Sequence, residues 1–183
     1  MRFLAALFLC FLILACNEEV VIKPEAKLRL DYPQASYNTV QLDCPYSFKI
    51  NTNATLNTAA GCNVDVEYPS MRATVYLTYQ SVKNNNIDSL LYDAQKLTYD
   101  HTIKANSILE QPRVDSINKV YGMFYMIDGN AATQSQFYVT DSVNHFITGS
   151  VYFKAKPNFD SIYPAVVYLR EDIRRIMETI KWK

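Results

Sequence analysis

The chain has 183 residues, one domain's worth of sequence, and a chain of that length buries a sizeable core without help. Eighteen Lys and Arg balance eighteen Asp and Glu, which argues against nucleic acid and against electrostatic docking on anionic lipid. Fourteen Tyr and only four Gly suit long, half-buried strands and leave no glycine-rich phosphate loop.

The chain opens with a basic residue, Arg2, an apolar run from Phe3 to Leu14, and a small residue, Ala15. That order reads as a secretory signal peptide over residues 1–15, and the run is too short for a bilayer span, which needs about 20 residues. The ending Ile13-Leu14-Ala15-Cys16 resembles a bacterial lipobox. The resemblance implies cleavage before Cys16 and a diacylglycerol on its sulfur, a lipid modification of the palmitate type. The alternatives are an ordinary signal peptide or a short membrane anchor. Loss of Arg2 leaves the mature chain close to −1. Residues 16–27 then read as the lipidated cysteine and a charged tether containing Pro24, and residues 28–183 as a single globular domain.

Within that domain, alternation predicts strands over residues 28–32, 46–50, 64–68 and 72–80, with a loop over 51–61. Helical spacing of Ile87, Leu90, Leu91, Ala94, Leu97, Thr98 and His101 predicts a helix over 88–105. Strands are predicted again over 120–127, 134–140 and 145–153. Asp128-Gly129 turns the first two and Asp141 to Asn144 the last two, giving an antiparallel meander. The final element is a helix over 164–182 with an apolar stripe of Val166, Leu169, Ile173, Ile176, Met177 and Ile180. Its Arg170, Glu171, Arg174, Arg175 and Glu178 are expected to face water, and Pro164 its first turn. The sum is an α+β domain with an antiparallel sheet and helices packed on one face.

Cys44 and Cys62 form an even pair in an exported chain and are expected to pair as a disulfide. The bridge would close a loop of about 18 residues and add roughly 3 kcal/mol. The alternative is two buried thiols. Two Cys and two His lack the spacing of a structural zinc site, and Cys44 and Cys62 are too far apart for a C-x-x-C redox centre. No Ser lies in a G-x-S-x-G context, so an elbow-type hydrolase is unsupported. His101 beside Asp100 reads as a buried helical histidine, because adjacent helical residues diverge in direction. His145 reads as a core-edge residue. Asp65 and Glu67 share a strand face, which is expected to be solvated rather than calcium-binding. No catalytic residue, metal site or cofactor is expected. Asp88-Ser89, Asp115-Ser116, Asp141-Ser142 and Asp160-Ser161 start Asp-Ser-aliphatic triplets resembling O-glycan acceptors; Asp-Ser also caps helices and makes turns, and at Asp88 and Asp160 that explanation suffices.

One sheet face should carry Val75, Leu77, Phe137, Val139, Ile147 and Val151 beneath the helices. The other carries Tyr76, Tyr138 and Tyr152 among Thr and Ser, and these three tyrosines are the candidate partner-binding residues. The alternative is that this face is covered by the N-terminal strands or merely solvated.

Several segments together resemble one family. They are Leu28-Arg29-Leu30-Asp31-Tyr32-Pro33, Cys44-Pro45-Tyr46-Ser47-Phe48, Tyr99 to Lys104, Gln136 to Ser142, Gly149 to Phe153, and Tyr168 to Ile173 with Trp182. The family is the gliding motility lipoprotein GldD, and the resemblance covers the mature chain. It implies a membrane-anchored envelope lipoprotein facing the periplasm, required for gliding and associated type IX secretion. It also implies partners among the other proteins of that apparatus. The family brings no catalytic residues to carry over. The runner-up reading is an envelope lipoprotein that binds a small hydrophobic or cell-wall ligand between sheet and helix. The order of elements is also similar to the Mog1/PsbP-like fold, which bears on topology alone.

Overall fold

A computed structural model describes residues 30–154 and 158–183, apart from the side chains of residues 101 and 102. The expected signal peptide, the lipidated Cys16, the tether and the side chain of His101 lie outside the described residues. The chain runs through β1 (Tyr37–Val40), β2 (Tyr46–Asn51), β3 (Thr55–Thr58), β4 (Val64–Tyr68), β5 (Ala73–Ser81) and α1 (Ile87–Tyr99). It continues with β6 (Ala105–Asp115), β7 (Val120–Gly129), β8 (Thr133–Thr140), β9 (His145–Phe153), α2 (Phe159–Thr179) and β10 (Lys181–Trp182). Seven strands form an antiparallel sheet ordered β3-β4-β5-β9-β8-β7-β6, and β1-β2-β10 form a smaller antiparallel one. The α+β class and the β7-β8-β9 meander are as the sequence predicts.

The main core lies between the larger sheet, α2 and β2. Alternation in β5, β8 and β9 puts Val75, Leu77, Phe137, Val139, Ile147 and Val151 on one face. Leu169, Ile173, Ile176 and Met177 of α2 and Tyr46 and Phe48 of β2 close over them. Gly149 faces Phe137 across the β8–β9 pair, where a Cβ would stand 2.1 Å from the ring. The helix cover is divided between the two faces. α1 lies on the opposite one, where Leu90 and Ala94 pack against Phe146 and Tyr138.

Four elements differ from the sequence reading. Residues 30–32 form no strand; Tyr32 instead packs on Tyr168 with ring centres 5.2 Å apart, and the Tyr168 hydroxyl donates to the Pro33 carbonyl. The first strand forms only after Pro33. The expected 51–61 loop contains β3, an edge strand that pairs Leu56 with Val66. The first helix stops at Tyr99, and residues 105–115 become β6, the longest strand. β6 has polar residues at its half-buried positions Gln111 and Arg113, and its Pro112 is tolerated because β6 is a sheet edge. The last helix starts at Phe159, so Pro164 lies within it, and it ends at Thr179 before β10.

Arg170 and Arg174 do not face water. Arg170 pairs with Asp128 at 2.5 Å, and Arg174 lies 4.7 Å over the Phe124 ring and bonds to Gln111 of β6. They use the α2 flank to fasten the β6–β7 edge that the sequence reading lacks.

Candidate functional site

Three chain segments meet at one end of the larger sheet. Two are the β6–β7 and β8–β9 turns, which repeat the pattern Asp-Ser-aliphatic-Asn: Asp115-Ser116-Ile117-Asn118 and Asp141-Ser142-Val143-Asn144. In each the aspartate carboxylate satisfies the turn's own donors, the usual reason for Asp at such a position. Asp115 accepts from the Asn118 backbone at 3.0 Å and from its side chain at 2.9 Å. Asp141 accepts from the backbone N–H groups of Val143, Asn144 and His145 at 3.0, 2.8 and 2.8 Å. The Asn118 side chain and backbone donors hold the Asp115 carboxyl below its ordinary range. Burial alone would raise Asp141, but its three N–H donors and the nearby His145 hold it low. Both carboxylates therefore stay ionised and point inward, while the aliphatic residues point outward, Ile117 93% and Val143 66% exposed.

The third segment is β10. Its pairing with β2 sets Trp182 opposite Tyr46 and brings it beside His145. The two rings stack, with centres 5.1 Å apart and an 18° tilt. The indole donates to the Lys119 carbonyl at 2.9 Å, and His145 Nδ1 lies 2.9 Å from the Tyr79 hydroxyl. Tyr79 in turn stacks on Tyr46, and Tyr46 on Phe48. A file of rings thus runs from the core to the surface. Burial, then Tyr79, pushes the Tyr46 phenol up to about 12, so it stays a neutral donor, here to the Cys62 carbonyl. A cleft of about 400 Å³ opens where the file reaches the surface, lined by Asn118, Lys119, Asn144, His145, Lys181 and Trp182 among others. Chemically it offers amines and amides beside a fixed aromatic wall, with the one lining carboxylate, Asp141, turned onto its own backbone donors, a surface for an anionic group. The runner-up reading expected a cleft between sheet and helix; this one lies at the sheet end.

A second constellation is sealed. Asp172 of α2, 1% exposed, accepts from the Tyr37 hydroxyl at 2.5 Å and from the Asn51 amide at 2.8 Å. Asn51 also donates to Tyr168 Oη, and Tyr168 donates to Pro33. Tyr68, fully buried nearby, feels the same carboxylate without closing a hydrogen bond of ordinary geometry, and burial raises its phenol far above the usual range. Burial raises the Asp172 carboxyl, only partly offset by the Tyr37 and Asn51 hydrogen bonds. Its surroundings make it a tie between β1, β2, α2 and the N-terminal segment. The sequence signal was available: Asp172 falls three residues after Leu169 and four before Ile176, inside an apolar stripe.

The candidate residues from the sequence separate into groups. Cys44 and Cys62 are joined, with Cα atoms 5.7 Å apart. Tyr76, 42% exposed, and Tyr152 meet edge to face at 5.9 Å. Tyr138 is apart from them, half-buried and stacked on Phe146 at 5.8 Å beside α1. Asp65 and Glu67 are half-buried on β4. Among the described residues no group of three or more His, Cys, Asp or Glu is placed to hold a metal ion, and no helix is long and apolar enough to cross a membrane.

A family model described as gliding motility lipoprotein GldD matches residues 17–182. No curated protein and no solved structure matches. The likeness to the Mog1/PsbP-like fold thus rests on element order alone. The family match covers most of the chain and starts one residue after Cys16, and the chain belongs to that family. Membership makes it a gliding-motility-related lipoprotein, anchored to a membrane of the cell envelope.

Proposed function

We propose that this member of the gliding motility lipoprotein family acts as a non-enzymatic assembly component of the gliding apparatus and its associated type IX secretion. In this reading Cys16 carries the lipid, residues 17–27 are the tether, and the domain faces the periplasm. The observation that carries it is the family match over residues 17–182, which leaves out only the leader, Cys16 and Lys183. The chemistry of the fold supports an assembly role. Its most strongly buried carboxylate, Asp172, is used to hold β1 and β2 to α2, and the Cys44–Cys62 bridge fastens the same small sheet. Such ties hold surfaces in fixed relation, which suits a docking part.

The pair of exposed Tyr76 and half-buried Tyr152 is the proposed contact for a partner protein of the apparatus, since tyrosine gives large contact area at low entropic cost. Tyr138 lies on the same sheet face but under α1, stacked on Phe146, so it is left out of the proposed contact. Affinity purification of the full chain from membranes tests the reading. Specific recovery of envelope proteins of the apparatus, lost with Tyr76→Ala and Tyr152→Ala at unchanged melting temperature, is the expected result. Recovery unchanged by both substitutions would reject this surface. Normal export of type IX cargo from a strain lacking the gene would reject the secretion role.

A further inference from the structure

The near-zero net charge hides an uneven distribution. Around the sheet-end cleft stand Lys119, Lys181 and Lys183, the last of which donates one of its three amine protons to the Leu42 carbonyl. Of the two ionised carboxylates nearby, Asp141 lines the cleft and is turned onto the N–H groups of its own turn, while Asp115 is paired with Arg113 and bonded to Asn118. The lysines are flanked by the outward tips Ile117 and Val143, aliphatic side chains that the turn chemistry holds in water. Between them lies Trp182, the chain's one tryptophan. Two apolar prongs, a basic rim and an indole are the parts from which interfacial membrane contacts are made: prongs and indole enter the headgroup layer while amines meet phosphates.

We propose that this end of the domain docks on a bilayer leaflet carrying anionic headgroups, with Ile117 and Val143 as the inserted tips and Lys119, Lys181 and Lys183 as the phosphate-binding rim. The proposal rests on the lipid-anchor reading for proximity. Fourteen residue steps separate Cys16 from Leu30, a span of at most roughly 50 Å when extended, which keeps Leu30 within that distance of the leaflet that holds the anchor. The anchor supplies attachment, and the docked end fixes which way the Tyr76–Tyr152 face points.

The test uses the full, lipid-bearing chain, purified from membranes and reconstituted with vesicles whose acyl chains carry bromine. One set is zwitterionic phosphatidylcholine and the other contains phosphatidylglycerol. Trp182 is the intrinsic probe. The expected result is flotation with both sets, and loss of Trp182 emission only with the anionic one. Each lysine near an anionic surface contributes roughly a five-fold factor, so Lys119→Gln with Lys181→Gln and Lys183→Gln should weaken docking roughly 100-fold and restore emission. Ile117→Ser with Val143→Ser, at exposed turn tips that leave the fold intact, should restore it as well. Flotation with both sets and undiminished emission would overturn the docking while leaving the anchor standing. Equal quenching in both sets would overturn the anionic assignment. Flotation with anionic vesicles alone would support docking and reject the anchor, and no flotation at all would reject both.

Discussion

Tyr37 donates to Asp172 at 2.5 Å across 135 residues of sequence, and the acceptor is buried at the centre of α2. Asp172→Ala would leave the Tyr37 hydroxyl and the Asn51 amide without this acceptor. It should cost about 2–4 kcal/mol, read as a fall in the denaturation midpoint. The pH dependence has a definite sign. Burial raises Asp172, so the folded chain binds its proton more tightly than the unfolded chain. Its contribution is fully present below the ordinary value of 3.8 and is lost as pH rises through the raised one. Asp115 and Asp141, held low, act in the opposite direction, contributing above that value and losing it in acid. The stability of the wild type relative to Asp172→Asn should therefore decline from pH 4 upward. A relative stability that stays flat, or rises, would contradict the assignment.

Gly149 and Phe137 form a second coupled pair. A Cβ at 149 meets the Phe137 ring at 2.1–2.8 Å, in the middle of two paired central strands that cannot shift. Gly149→Ala should cost about 1–3 kcal/mol by overpacking. Adding Phe137→Leu should recover part of it, giving a coupling energy of about 0.5–3 kcal/mol in the double-mutant cycle. Strict additivity would show that the contact does not limit the site.

The Cys44–Cys62 bridge closes an 18-residue separation and joins the segment just before β2 to the short 3-10 turn Ala60–Cys62 just before β4. Cys44→Ala with Cys62→Ala should lose about 3 kcal/mol, and reduction of the wild type should reproduce that shift. A midpoint indifferent to reductant would remove the bridge from the stabilising contacts.

The legible part of the fold was the part written in period. Alternation in β5, β8 and β9 puts Val75, Leu77, Phe137, Val139, Ile147 and Val151 in the core, and the stripe from Val166 to Met177 of α2, with Ile180 just past its end, is buried as its spacing requires. β6 was invisible because the half-buried positions of this edge strand, Ala105, Ile108, Gln111, Arg113 and Asp115, are mostly polar and keep no regular apolar alternation. For the same reason Arg170 and Arg174 read as solvated: their partners Asp128, Phe124 and Gln111 lie 42 to 63 residues away. Residues 28–32 had the alternation of a strand but precede a proline, and the described part packs on Tyr168 instead. The sheet-end cleft was half legible. The two Asp-Ser-aliphatic turns stood out, but nothing in the sequence said that β10 would bring Trp182 against His145.

Colony spreading of a strain lacking this gene, with the wild-type gene restored as control, tests the central claim most directly. Loss of spreading that the restored gene reverses is the predicted result. Normal spreading without the gene would contradict the motility role and move the ligand-binding reading forward.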